Sequence, residues 1–391
     1  MAPFLDEQRL DSEEALATLD SHATLRSLAT AGAQVRLALT LATEAGIEKV
    51  NGGERPRSVL VASLGGTAVV CDVLDVLAEP GSPVPVTTRR NVPLPGWVGP
   101  LDLVIAVSQS GRATGPLALA AEAARRGAGL LTVGAADSPL ADVCAQGRGV
   151  HVPVRDSTSG SRTALWALLA PVLLAAGHLG LIDMSAEVLE DVADRLDEQA
   201  EACRPSSEAF VNPAKVMAVD LADTVPVVLG DGPLTGVAAA RAASMLARTA
   251  RMPATFGELP DAASQVVACF DGPFAAGAGA ATPDGGRDIF ADPYLDGPST
   301  PQLGLLMLRD MVPDPMTVEQ ADAQNLAQAV IDSARDSNVK VSEARAGEGH
   351  PVVRLADLIS LTDFAATYLA LGLGLDPTVS PHVADLRDRT S

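Results

Sequence analysis

An apolar run at residues 103–107 stops abruptly at Ser108-Gln109-Ser110-Gly111, and an alanine-rich helical pattern begins near Ala113. A short β-rich run with no polar face reads as a strand buried on both sides, and such a strand belongs to a parallel sheet covered by helices. The hand-over puts two hydroxyls and a glycine where a helix begins. The first amides of a helix have no internal partners, and its dipole is positive there. Hydroxyls and free amides together bind phosphate. The plainer reading is a serine N-cap in an ordinary strand–helix loop.

The same alternation runs along the chain twice. In the first half, strands are predicted at 58–63, 84–87, 103–107, 129–133 and 149–154, with helices following to about Leu77, at 116–126 and at 163–179. In the second half, strands are predicted at 225–229, 303–308 and 339–341. Helices are predicted there at 235–250, 318–335 and 355–373, with a loop and short helix over 258–267. Four segments follow: a helical segment 1–54, a first α/β domain 55–180, an acidic helical linker 181–224 and a second α/β domain 225–391. The Gly- and Pro-rich stretch 271–301 reads as a surface loop. Ligands of parallel sheets bind at the carboxyl ends of strands. Ser63-Leu64-Gly65-Gly66-Thr67 and the Ser108 loop both fall there, and the strand ending at Leu229 runs into Gly230-Asp231-Gly232.

Composition narrows the partners. With 391 residues, 47% of them apolar, the chain can bury a large core without metals or disulfides. A net charge of −21 argues against nucleic acid and anionic membranes, while a local site for a phosphorylated small molecule stays open. Cys71, Cys144, Cys203 and Cys269 are isolated, as reduced thiols of a cytoplasmic protein would be. No secretory signal or membrane-spanning run is evident. His22, His151, His178 and His350 show no metal-ligand spacing, and neither a dinucleotide fingerprint nor a P-loop is present, so no metal and no cofactor is expected. Lys49, Lys215 and Lys340 are the only lysines.

Taken in order, these residues resemble the SIS (sugar isomerase) domain family, and within it the bifunctional phosphoglucose/phosphomannose isomerases. Gly65-Gly66-Thr67 is similar to the family's Gly-Gly-Ser loop, Arg90-Asn91-Val92-Pro93-Leu94-Pro95 to its Arg-x-Tyr-x-Leu-Pro segment, and Ser108-Gln109-Ser110-Gly111 to its Ser-x-Ser-Gly phosphate motif. Ser161-Arg162-Thr163 resembles the segment carrying the active-site Arg. Asn212-Pro213-Ala214-Lys215 and the stretch from Asp363 to Ala370 resemble two further segments. The resemblance implies two tandem SIS domains, each a mostly parallel sheet flanked by helices. It also implies a hexose 6-phosphate site between the halves, completed in a homodimer. Ser108, Ser110, Gly111 and Thr114 would hold the phosphate, Gly65, Gly66 and Thr67 would border the sugar, and Arg162 would steady an enediolate oxygen. The plain alternative for Arg162 is a helix-capping or ion-paired arginine.

Catalytic positions depart from the family. Isomerisation between aldose and ketose moves a proton between adjacent carbons and needs a base and a ring-opening group. Arg248 stands where the family has its basic Glu, and arginine keeps its proton in proteins. Asp261 stands for a His and Arg387 for a Lys. The family Thr falls at Ala113, leaving Thr114 about 100° further round the helix. Glu258, Asp261 and His382 are the replacement candidates, each with a plain alternative as a cap, a solvated acid or a surface histidine. Two functions follow: an isomerase of glucose 6-phosphate or mannose 6-phosphate with fructose 6-phosphate, or a phosphosugar sensor or regulatory partner without turnover. A scaffold that has lost its ligand is a third.

Overall fold

The computed structural model describes residues 5–154, 160–275, 302–312 and 315–390. Most of the 271–301 stretch, residues 276–301, lies outside the described residues. By its internal contacts the chain forms two compact units, one of residues 26–200 with 350–356 and one of residues 1–25, 201–349 and 357–391.

The first of these units is built on a five-stranded parallel sheet. Its strands are β1 (Val59–Ser63), β2 (Val86–Arg89), β3 (Leu103–Ser108), β4 (Gly129–Gly134) and β5 (Val150–Pro153), in the order β2-β1-β3-β4-β5. β1 and β3 are buried along their whole length, as strands covered on both faces must be. Side chains alternate across a strand. Leu60, Ala62, Val104, Ala106 and Leu130 therefore share one face, where they pack with Leu119, Ala120 and Ala123 of helix Thr114–Arg125 and with Leu140 and Cys144 of helix Pro139–Gln146. The apolar helix Leu165–His178 contacts helix Ala31–Glu44 and β4. Helix Ala31–Glu44 lies close to helix Ala186–Ala202. A Cβ on Gly32 would sit 2.5 Å from the Ala193 carbonyl.

The other unit carries β6 (Thr224–Gly230), β7 (Thr255–Glu258), β8 (Gln302–Arg309) and β9 (Lys340–Arg345), all parallel, in the order β7-β6-β8-β9. Val227, Leu229, Leu303, Leu305 and Met307 meet Val266 and Phe270 at one end and Ala327, Val330, Ile331 and Ala334 of helix Val318–Asp336. Among the described residues one helix, Pro351–Gly372, has the length and apolarity to span a bilayer. It is 94% buried in the fold, as a core helix is.

The alternation read from the sequence is present, with differences; among them, β9 runs four residues past the strand expected at 339–341. The strand expected at 84–87 lies two residues later. Helix Pro139–Gln146 and helix Pro381–Thr390 are additional. Residues 255–258 form a strand where a loop leading into a short helix was expected. Each of these elements buries few apolar side chains, so each leaves a weak apolar pattern. Cys71, Cys144 and Cys203 are buried free thiols, whereas Cys269 is exposed.

Candidate functional site

In the sheet built around β1 the chain moves from β1 outward to β2 and then back to β3 on the other side. The crevice at the carboxyl ends of β1 and β3 is therefore the topological switch point, where sheets of this kind bind ligands. Ser63 pairs in register with Val107, so the loops after them flank that crevice. After β1 the chain makes a 3-10 turn, Gly65–Thr67. Gly65 has φ +67 and open space where a side chain would be. The buried Thr67 hydroxyl donates to the Leu64 carbonyl at 3.0 Å, so it shapes this turn.

The loop after β3 is held from both sides. The Gly111 amide donates to the Ser108 carbonyl at 2.9 Å and the Ala113 amide to Ser108 Oγ at 3.3 Å. The Arg112 amide donates to Ser110 Oγ at 3.3 Å. Gly111 has φ +62, and a Cβ there would lie 2.1 Å from Ser138 Oγ. Ser138 in turn caps helix Pro139–Gln146. Ser108 is buried, while Ser110 and Thr114 are exposed, and Thr114 is the first residue of its helix. The segment before β3 also closes on this loop: a Cβ on Gly115 would lie 2.3 Å from the Arg90 carbonyl. The Arg90 guanidinium is 3.9 Å from Asp72, whose carboxyl burial holds above its ordinary pKa against the pull of Arg90. Arg162 ends the 3-10 turn Gly160–Arg162, which packs on the Gly65–Thr67 turn. In one unit, the Gly65–Thr67 turn after β1 and the Ser108–Thr114 loop after β3 thus follow neighbouring strands, and the turn that ends at Arg162 contacts the Gly65–Thr67 turn. Together they offer hydroxyls, a helix start and the arginine-bearing segments at 90, 112 and 162, a donor set suited to a phosphate.

The expected proton-transfer residues belong to the other unit. Glu258 is the last residue of β7 and pairs with Gly230. A Cβ on Gly236 would come within 2.7 Å of Glu258 Oε2, so this carboxylate lies against the first turn of helix Pro233–Met245. Asp261 follows in the same exposed turn. His382 is exposed, the second residue of helix Pro381–Thr390. The Arg387 side chain lies outside the described residues. Arg248 is half-buried in a π-helical turn, Leu246–Ala250, a local widening that recurs at functional sites.

Buried nucleophile types are not poised for attack. Burial pushes the Cys71 thiol up to about 11, even with Ser63 Oγ 2.9 Å from its sulfur, and pushes Cys203 up to about 12. Among the described residues no group of three or more His, Cys, Asp or Glu side chains is placed to hold a metal ion.

Residues 210–390 match the family model described as the bacterial phospho-glucose isomerase C-terminal SIS domain. The chain resembles the SIS family. A bifunctional phosphoglucose/phosphomannose isomerase of Caldicellulosiruptor bescii is 28% identical over 198 residues, which are 51% of this chain and 58% of that protein. The chain thus matches little more than half the length of that curated relative. A hypothetical protein of Thermus thermophilus superposes with a TM-score of 0.66 at 13% identity, over 97% of this chain and 94% of its own. A glucose-6-phosphate isomerase like protein of the same organism superposes with a TM-score of 0.53 at 20% identity, over 96% and 99%. At these identities the solved structures show the fold: two mostly parallel sheets flanked by helices.

The sequence reading did not find the clamp of Ser138 and the Arg90 backbone around the phosphate-type loop. Gly111 and Gly115 are the signal it leaves, since both positions exclude a side chain. It gives Gly230-Asp231-Gly232 only as the end of a strand; the structure gives its acid a network of partners.

Proposed function

We propose that this chain binds a hexose 6-phosphate at the crevice between β1 and β3. The observation that carries the reading is the Ser108–Gly111 loop, clamped against Ser138 beside an open Gly65 turn at the switch point of a SIS-type sheet. The exposed Ser110 hydroxyl and the start of helix Thr114–Arg125 receive the phosphate, with Thr114 beside them. The space over Gly65 and Gly66 receives the sugar, and Arg162 faces its oxygens. Membership of a homodimer in the cytoplasm belongs to the same proposal.

A second reading, isomerisation of glucose 6-phosphate or mannose 6-phosphate to fructose 6-phosphate, is favoured by Glu258. It is an exposed carboxylate at a strand's carboxyl end, the residue type that moves a proton between two carbons through a cis-enediol. Arg248 cannot take that role. Without such turnover the chain is a phosphosugar sensor.

The test is a thermal-shift titration with glucose, mannose and fructose 6-phosphates, followed by a coupled isomerase assay on each binder. A ligand at ~100 times its Kd stabilises by about 2.7 kcal/mol. S108A/S110A is expected to weaken binding at least about tenfold, or about 1.4 kcal/mol. Turnover that E258Q abolishes while binding is kept identifies the isomerase. Binding without turnover identifies the sensor. No stabilisation by any of the three sugars overturns the proposal.

A further inference from the structure

The two sheets repeat one arrangement around their first strands, β2-β1-β3 in one unit and β7-β6-β8 in the other. Ser63 pairs with Val107 in the first, and Gly230 with Leu308 in the second. The residues just past these pairs differ sharply. Leu64 is 41% exposed. Asp231 is 6% exposed. Its carboxylate reaches from the end of β6 to the loop after β8. It accepts hydrogen bonds from Thr235 Oγ1 at 2.9 Å, from the Asp310 amide at 3.0 and 3.2 Å on its two oxygens, and from Gln324 Nε2 at 3.2 Å. Arg309 Nε lies 3.9 Å from the same carboxylate on a side chain only 7% exposed, and this nitrogen has no hydrogen-bond partner. The rest of that guanidinium is held by Gln324 and Gln328, with Glu343 at 3.6 Å.

A hydroxyl at the start of a helix, an amide from the neighbouring strand's loop, a side-chain amide and a guanidinium make a typical oxyanion donor set. Here it converges at the switch point of a parallel sheet, on an acid of the chain itself. We infer that Asp231 stands in for a bound oxyanion: the crevice between β6 and β8 is a latent site for inorganic phosphate or a phosphomonoester, closed in the native chain by this carboxylate. Removing the acid leaves buried donors and the Arg309 charge without an acceptor, and an oxyanion that reaches them offsets that cost.

The experiment compares wild type, D231A and D231N by thermal unfolding in sodium phosphate and in sodium chloride of equal ionic strength. D231A is expected to melt lower than wild type in chloride. In phosphate it should regain roughly 5–10 °C more than wild type gains, the shift a near-saturating ligand gives a domain of this size. D231N fills the same space with a neutral amide, so its phosphate gain should equal that of wild type. Phosphate bound at the Ser108 loop is common to all three proteins and cancels, so failure of the proposed function leaves this readout intact. Equal phosphate gains in D231A and wild type overturn the inference, as does a D231N gain as large as that of D231A. If D231A is insoluble in chloride, it is refolded from denaturant in both buffers. Recovery in phosphate alone supports the latent site, and equal recovery or failure in both overturns it.

Discussion

Single buried charges in this chain are held by several partners at once, and that fixes what their removal costs. Asp102, just before β3, accepts from Arg57 Nε at 3.0 Å and Nη2 at 2.6 Å, from Ser58 Oγ at 2.7 Å and from the Gly99 amide at 2.8 Å. Burial alone would raise its pKa. The hydrogen bonds from Arg57, Ser58 and Gly99 outweigh it and hold the carboxyl below its ordinary value. A carboxyl lowered in the folded state contributes stability above its unfolded pKa, near 3.9, and loses it as pH falls through the lower folded value. D102A is therefore expected to destabilise by about 2–3 kcal/mol at neutral pH, since Ser58 and the Gly99 amide lose their acceptor. The charge-linked part of the deficit should fade as pH drops below 4 on the scale of denaturant midpoints, leaving the share owed to the lost acceptor. A deficit independent of pH would mean that packing, not charge, sets it. Lys215 shows the same economy of partners. Its buried ammonium donates to the Pro205 and Ser207 carbonyls at 2.8 and 2.6 Å and lies 5.4 Å from the Tyr368 ring centroid. A compact, three-donor cation fits that cage better than a planar fork, which accounts for a lysine surviving where arginine is otherwise the rule.

Elements were legible from the sequence in proportion to what they bury. β1, β3 and β8 are continuous apolar runs and helix Leu165–His178 is apolar throughout, so pattern alone locates them. β7, Thr-Phe-Gly-Glu, is an edge strand with no buried residue, and helix Pro139–Gln146 buries only Leu140 and Cys144. Neither has an apolar period to read. The phosphate-type loop was legible because its Ser and Gly residues are adjacent in sequence. Its clamp was not, because Gly111 meets Ser138, 27 positions away, only in the folded chain. The two left-handed glycines of this site separate backbone strain from clash. G65A faces open space and is expected to cost only the left-handed penalty, about 1–2 kcal/mol. G111A adds a Cβ 2.1 Å from Ser138 Oγ and must shift the loop. It should destabilise by at least ~1 kcal/mol more and weaken sugar-phosphate binding, while G65A keeps its phosphate affinity. Denaturant unfolding and ligand titration of both variants decide this. Equal stability losses would mean that Ser138 yields without moving the loop.

Over the whole molecule the arginines near the crevice work against a strongly acidic background. The chain has 49 acidic and 28 basic residues. Surface pairs such as Arg36 with Glu190, Asp194 and Asp197 absorb some of that charge, each contributing at most a few tenths to 1 kcal/mol. The excess of 21 negative charges cannot be paired and repels itself most in the compact state. Salt weakens both terms, because the screening length falls from ~30 Å at 0.01 M to ~8 Å at 0.15 M. Repulsion acts over the longer distances and is screened first, whereas contacts at 2.6–3.3 Å, like those of Arg36, lose little. Sodium chloride added over that range is therefore expected to raise the melting temperature by several degrees and then to level off. A melting temperature that falls with chloride would instead assign the net stability to the surface ion pairs. The same titration sets the screening baseline for phosphate at equal ionic strength; phosphate also stabilises any folded chain by exclusion from its surface, so a bound oxyanion is read from the difference between variants.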